Sequence, residues 1–127
     1  MIEYLDEIKL ISETQLEGFF VGWRRSLSSE QHYELLKGSS HFIVAMENDK
    51  VVGFITALSD GVNSSFIPLL EVLPKYQGKG IGTELVKRML AKLEGISNID
   101  LICDEDVMTF YDRFSEMCRA KGMVIRK

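Results

Sequence analysis

The spacing of apolar residues divides the chain into helical and extended stretches. Leu16, Phe19, Phe20 and Trp23 fall at helical spacing between Thr14 and Trp23. Ile81, Leu85, Met89 and Leu93 repeat the pattern more cleanly with Val86 and Leu90 beside them, which predicts an amphipathic helix from about Gly80 to Leu93, stopped at Gly95. Ser28-x-x-Gln31 reads as a capping box that opens another helix through Leu36, closed by Gly38. Tyr4 to Ile11 alternates loosely, as an edge strand does. His41 to Met46 and Val51 to Leu58 are β-rich runs separated by Glu47-Asn48-Asp49-Lys50, the pattern of a hairpin. Ser65 to Leu73 is apolar almost throughout and predicts a central strand, with a bulge or a break in pairing at Pro68, which has no N–H to give. Ile99 to Cys103 reads as a buried strand. After it, Asp104 or Asp106 can cap a helix carrying Val107, Phe110, Tyr111 and Phe114, and Met117 to Arg126 reads as a last strand or hairpin. No repeat or linker interrupts this order, so one domain over residues 1–127 is expected.

Composition narrows the class. With 127 residues, 46% of them hydrophobic, the chain can bury one core. No apolar run reaches the 18 or so residues of a membrane span, and the acidic start Met-Ile-Glu-Tyr-Leu-Asp-Glu is unlike a secretory signal, so a cytosolic protein is expected. Cys103 and Cys118 have no metal-ligand spacing and are expected as free thiols. A net charge of −4 without a basic run argues against nucleic acid. Residues 1–64 hold ten acidic and five basic side chains and residues 65–127 nine and ten, a division that suits a polyanion meeting a cation, or mere solubility.

The chemistry gathers between Leu70 and Leu93: an apolar strand, a glycine-rich turn, then a helix. Gly78, Gly80 and Gly82 let the main chain approach a ligand, and a helix N-terminus favours an anion. A mononucleotide P-loop needs Ser or Thr after its Lys, whereas Lys79 is followed by Gly80. A dinucleotide fingerprint would need glycine at Thr83 or Leu85. Gln77-x-x-Gly80-x-Gly82 instead resembles the Gln/Arg-x-x-Gly-x-Gly/Ala loop of the GCN5-related N-acetyltransferases, and the strand, two helices, three strands, helix, strand, helix, strand order resembles that family over nearly the whole chain.

The resemblance implies an α+β fold in three layers, a mostly antiparallel sheet with a splayed parallel pair, flanked by helices. It implies acetyl-CoA as cosubstrate with no metal. The main chain of Glu71, Val72 and Leu73 would pair with the pantetheine arm, and Gln77, Gly78, Lys79, Gly80, Ile81, Gly82 and Thr83 would cradle the pyrophosphate. Asp104-x-x-Val107-x-x-Phe110-Tyr111 is similar to the family's Asn-x-x-Ala-x-x-Φ-Tyr segment. That places Phe110 against the cofactor and makes Tyr111 the acid that protonates the departing thiolate, of pKa roughly 8–10. Departures are Asp104 for Asn, Val107 for Ala, and Ser115-Glu116 where Gly-Phe is expected. Glu71, a lone carboxylate in an apolar strand, is the candidate base for an alkylammonium acceptor. Phe19, Phe20 and Trp23 with Arg24 and Arg25 are candidates for the acceptor side, or simply core.

The expectation is an acetyl-CoA-dependent N-acetyltransferase acting directly on a small-molecule amine, with no nucleic-acid or membrane partner and a homodimer left open. The alternative is an acyl-CoA-binding or regulatory module with the same fold and little turnover.

Overall fold

Asn48 and Asp49 take left-handed backbone angles, φ 50° and 64°, and so form the two-residue turn that matches the twist of the strands it joins. Those strands are β2 (His41–Glu47) and β3 (Lys50–Ser59). The computed structural model describes residues 1–127. With β1 (Glu3–Leu5), β4 (Ser64–Val72) and β5 (Asn98–Leu101) they build one sheet in the order β1-β2-β3-β4-β5. All neighbours are antiparallel except β4 and β5.

Strand alternation sorts the core onto two faces. Ile43 and Ala45 of β2 face one side with Ile55 and Ala57 of β3; Phe42, Val44 and Met46 face the other with Val51 and Phe54. Helix α2 (Ile81–Lys92) covers the first face through Ile81, Leu85, Val86 and Met89. Burial of each is worth roughly 1.5–3 kcal/mol, well above the roughly 0.5–1 kcal/mol that Gly82 costs the first turn. The helix can sit this close because β3 has Gly53 beneath it: a Cβ there would stand 3.3 Å from Ile81, Leu85 and Val72 side-chain atoms. Helix α1 (Ser29–Gly38) covers the second face, opened by the Ser28–Gln31 capping box in both directions. The result is the three-layer α+β arrangement expected, with the parallel pair at one edge.

Several local expectations are corrected. The first strand is only three residues, and Ile8–Leu10 is a 3₁₀ turn. Thr14 to Trp23 is no helix: a 3₁₀ turn over Glu13–Leu16 is followed by positive φ at Gly18 (96°), Phe20 (65°) and Gly22 (75°). Strand β5 lies at the sheet edge and is half exposed, not buried. The Asp104 segment forms a 3₁₀ turn over Glu105–Val107, and α3 (Met108–Tyr111) is a single turn. Residues 117–127 form neither strand nor helix. No helix is long and apolar enough to cross a membrane.

On the second face His32 is 1% exposed, ringed by Phe19, Phe20 and Phe54 at centroid distances of 5.3, 5.0 and 4.3 Å. Neither ring nitrogen has a hydrogen-bond partner. Burial pushes its pKa down to about 4, against an opposing effect of the Leu16 main chain. The unfolded chain takes up a proton near pH 6.5 and the folded chain only near 4, so the folded state loses stability as pH falls through that window. The loss is expected to reach about 3 kcal/mol by pH 4, with none above pH 7. Urea titrations of the parent and of His32→Leu, each at several pH values, check this. The variant should lack that part of the acid loss, and equal slopes in both would refute it.

Candidate active site

The parallel pairing of β4 and β5 runs only from Ser64↔Asn98 to Ile67↔Leu101. Pro68 follows at once and cannot donate to a ladder, and the β3 register also shifts there, between Thr56↔Leu69 and Leu58↔Phe66. From Pro68 to Val72, β4 therefore keeps β3 on one side and has no strand on the other. This open edge is the splay.

Alternation decides which groups face it. The Leu73 N–H donates to the Val52 carbonyl at 2.9 Å, so Leu73, and by period Glu71, turn their main-chain groups toward β3. Val72 and Leu70 turn theirs to the open edge. Of the three residues expected to pair with a pantetheine arm, Val72 is the one placed to do so, and Leu70 joins it. The Val72 carbonyl is held at 2.9 Å by the Gln77 side-chain amide, which braces strand to turn at the wall of the groove.

Past Val72 a 3₁₀ turn, Pro74–Tyr76, leads to Gly78 (φ 77°) and Gly80 (φ 86°), the N-cap of α2. The first helical bond is Glu84 N–H to the Gly80 carbonyl, and no protein acceptor takes the N–H groups of residues 78–83. A Cβ at Gly78 or Gly80 would meet nothing within 4 Å: the space before the turn is open. These amides at the positive end of a twelve-residue helix form a cradle for a phosphate chain.

The cradle opens into a groove of about 510 Å³ lined by Leu70, Val72, Tyr76, Gly80, Phe110 and Arg113, among others. Two cations flank it. Lys79 Nζ stands 5.4 Å from the Tyr76 ring centroid, and the Arg113 guanidinium stacks 4.6 Å over Phe110 while donating to Thr83 Oγ1 at 3.0 Å. Arg113 escapes a reading of the sequence, since Thr83 is 30 positions away; its three-residue spacing from Phe110 was the available signal.

Tyr111 does not line the groove. Its ring packs edge-on to Phe110 at 4.9 Å, half buried, on the side of Cys103 just beyond β5. Burial pushes its hydroxyl up to about 12, and the Cys103 sulfur adds to the effect. Glu71 points to the opposite face from Val72, where its carboxylate accepts the N–H groups of Phe20 (2.9 and 3.0 Å) and Val21 (3.3 Å). Asp104 ends the β5 connection without a side-chain capping bond. Both cysteines are free, and no group of three or more His, Cys, Asp or Glu is set to hold a metal.

A splayed parallel pair, a glycine cradle at a helix N-terminus and a short aromatic helix over the groove define the acetyltransferase class. Residues 8–115 match the Acetyltransferase (GNAT) family, and the chain belongs to it. It is 33% identical over 119 residues to the uncharacterized N-acetyltransferase ycf52 of Pyropia yezoensis, covering 87% of this chain and 67% of that one. It is 36% identical over 79 residues to the chloroplastic GCN5-related N-acetyltransferase 2 of Arabidopsis thaliana, covering 61% of this chain and 31% of the relative. The chain thus spans about two thirds of the first relative and under a third of the second. A provisionally named acetyltransferase from Deinococcus radiodurans R1, solved by crystallography, superposes with a TM-score of 0.95 at 37% identity, over 99% of this chain and 88% of that one.

Proposed function

We propose that this protein moves an acetyl group from acetyl-CoA to a primary amine, directly, within a complex of both. The observation that carries this is the run of unpartnered N–H groups at residues 78–83 opening on a groove beside the unpaired half of β4. Acetyl-CoA supplies a thioester that an amine can attack, on a long arm ending in phosphates.

Each part of the arm has a counterpart in the chain. The amides of Gly78 to Thr83 take the pyrophosphate, with Lys79 and Arg113 adding charge from either side. The arm runs along Val72 and Leu70, and Phe110 lies against it. Tyr111, whose ring backs Phe110 outside the groove, would have to turn its hydroxyl, protonated throughout the working range, past Phe110 to give a hydrogen bond to the departing sulfur. Full transfer from a group near 12 to a thiolate of pKa roughly 8–10 is uphill, so the help comes as charge stabilisation while the bond breaks. The acceptor must also lose a proton, and the Glu71 carboxylate, its oxygens already holding three N–H contacts, is not free to take it directly.

The acceptor we favour is a small amine with an aromatic or aliphatic body. Val21 and Trp23 are 60% and 45% exposed on the loop that Glu71 holds, and Arg24 and Arg25 follow there without an ion-pair partner, which counts against a polycation. A screen of thiol release across arylalkylamines, amino acids, polyamines and peptides tests it. Turnover is expected with the first class; turnover of peptides alone would sink the small-amine reading. Coenzyme A binding with no turnover of any amine would favour the binding-module alternative.

A further inference from the structure

Glu71 sits where β4 has a different job on each face. Its neighbours Leu70 and Val72 line the groove, while its own side chain crosses to the other face and takes hold of a loop 50 residues earlier. That loop is held in a conformation it would not adopt alone. Phe20 has φ 65°, a left-handed angle that a bulky side chain disfavours, between Gly18 and Gly22, which are also positive.

Three contacts over-determine the loop. The Phe20 ring, 2% exposed, packs edge-on against Trp23 at 4.9 Å and His32 at 5.0 Å. A Cβ at Gly18 would be 3.5 Å from Leu73, so the loop abuts the residue that follows β4. The Glu71 carboxylate takes the Phe20 N–H on both oxygens and the Val21 N–H on Oε2. These are charge-assisted bonds to groups that no other acceptor serves. Val21 and Trp23, beside them, emerge toward solvent.

We infer that Glu71 is the positioning residue of the acceptor wall: its carboxylate fixes the Phe20–Val21 main chain and thereby sets the exposed side chains of Val21 and Trp23. The inference rests on the acetyl-transfer reading and changes what Glu71 does within it. The carboxylate serves first as a clamp, and the acceptor proton leaves to solvent.

Glu71→Gln and Glu71→Leu separate clamp from base. The Gln oxygen can still take both amides from the Oε2 position once its NH2 shifts off the Phe20 N–H that faced Oε1, whereas Leu can take neither. Hydrogen exchange of the Phe20 and Val21 amides should stay slow in the parent and in Glu71→Gln and become fast in Glu71→Leu. In turnover, Glu71→Gln should lose no more than about fivefold, equally at every pH, while Glu71→Leu raises the amine KM about tenfold or more and leaves coenzyme A affinity within about twofold. Thermal unfolding of both variants confirms that the fold persists. A Gln loss that vanishes at high pH would make Glu71 the proton acceptor and overturn the inference, as would slow exchange or an unchanged amine KM in Glu71→Leu. If the parent acetylates no amine, the acetyl-transfer reading fails, and the exchange result alone still decides the clamp.

Discussion

Gly80→Asp should weaken coenzyme A binding by ~10²-fold or more, with the fold intact. Gly80 caps α2 at φ 86°, where any L side chain is strained by roughly 1–2 kcal/mol. Its Cβ would project into open space, the space the phosphates are proposed to fill, and a carboxylate there would repel them. Strain of that size is worth about 5- to 30-fold, so Gly80→Ala, which adds the strain without the charge, is the milder control. Gly82→Asp tests the same cradle without backbone strain: its Cβ would touch Phe110 at an ordinary 3.5 Å, so the charge is what acts. Calorimetry with coenzyme A measures all three. Unchanged affinity in both Asp variants would remove the cradle assignment.

Tyr111→Phe should lower kcat by ~10²-fold with acetyl-CoA affinity little changed, the scale of one positioned donor at a developing charge. The ring packing on Phe110 and Phe114 is kept, so the hydroxyl is what is removed. Because that hydroxyl is pushed up to about 12, the parent's rate should rise with pH as the amine becomes neutral and show no falling limb from Tyr111 below about pH 11. Activity within about twofold of the parent would mean that water or another group serves the sulfur. Steady-state kinetics across pH for both proteins decides it.

What was legible in the sequence was what neighbours along the chain decide. The Ser28–Gln31 box, the Asn48-Asp49 turn and the α2 stripe are local, and each forms where its residues predict. Pro68 marked the end of pairing because a missing N–H is a property of one residue. The loop at Gly18 to Gly22 was not legible. Its aromatic residues have helical spacing, yet a carboxylate on β4 captures its amides, and no window of local sequence contains Glu71. The same reason hides Arg113, whose partner Thr83 lies 30 positions earlier on α2. Residues 117–127 alternate well enough for a strand, yet they do not pair with the free edge of β5. Tyr111 stood out only through the resemblance of its segment to the family's, since an aromatic on an apolar face is ordinary packing.

The most direct test of acetyl transfer is to incubate the protein with acetyl-CoA carrying a heavy-isotope acetyl group and an arylalkylamine, and to follow both free thiol and the mass of the amine. The account predicts that thiol appears only when amine is present, and that the amine gains the labelled acetyl group mole for mole. Tight coenzyme A binding with no labelled amine, or thiol release that does not depend on the amine, would contradict it.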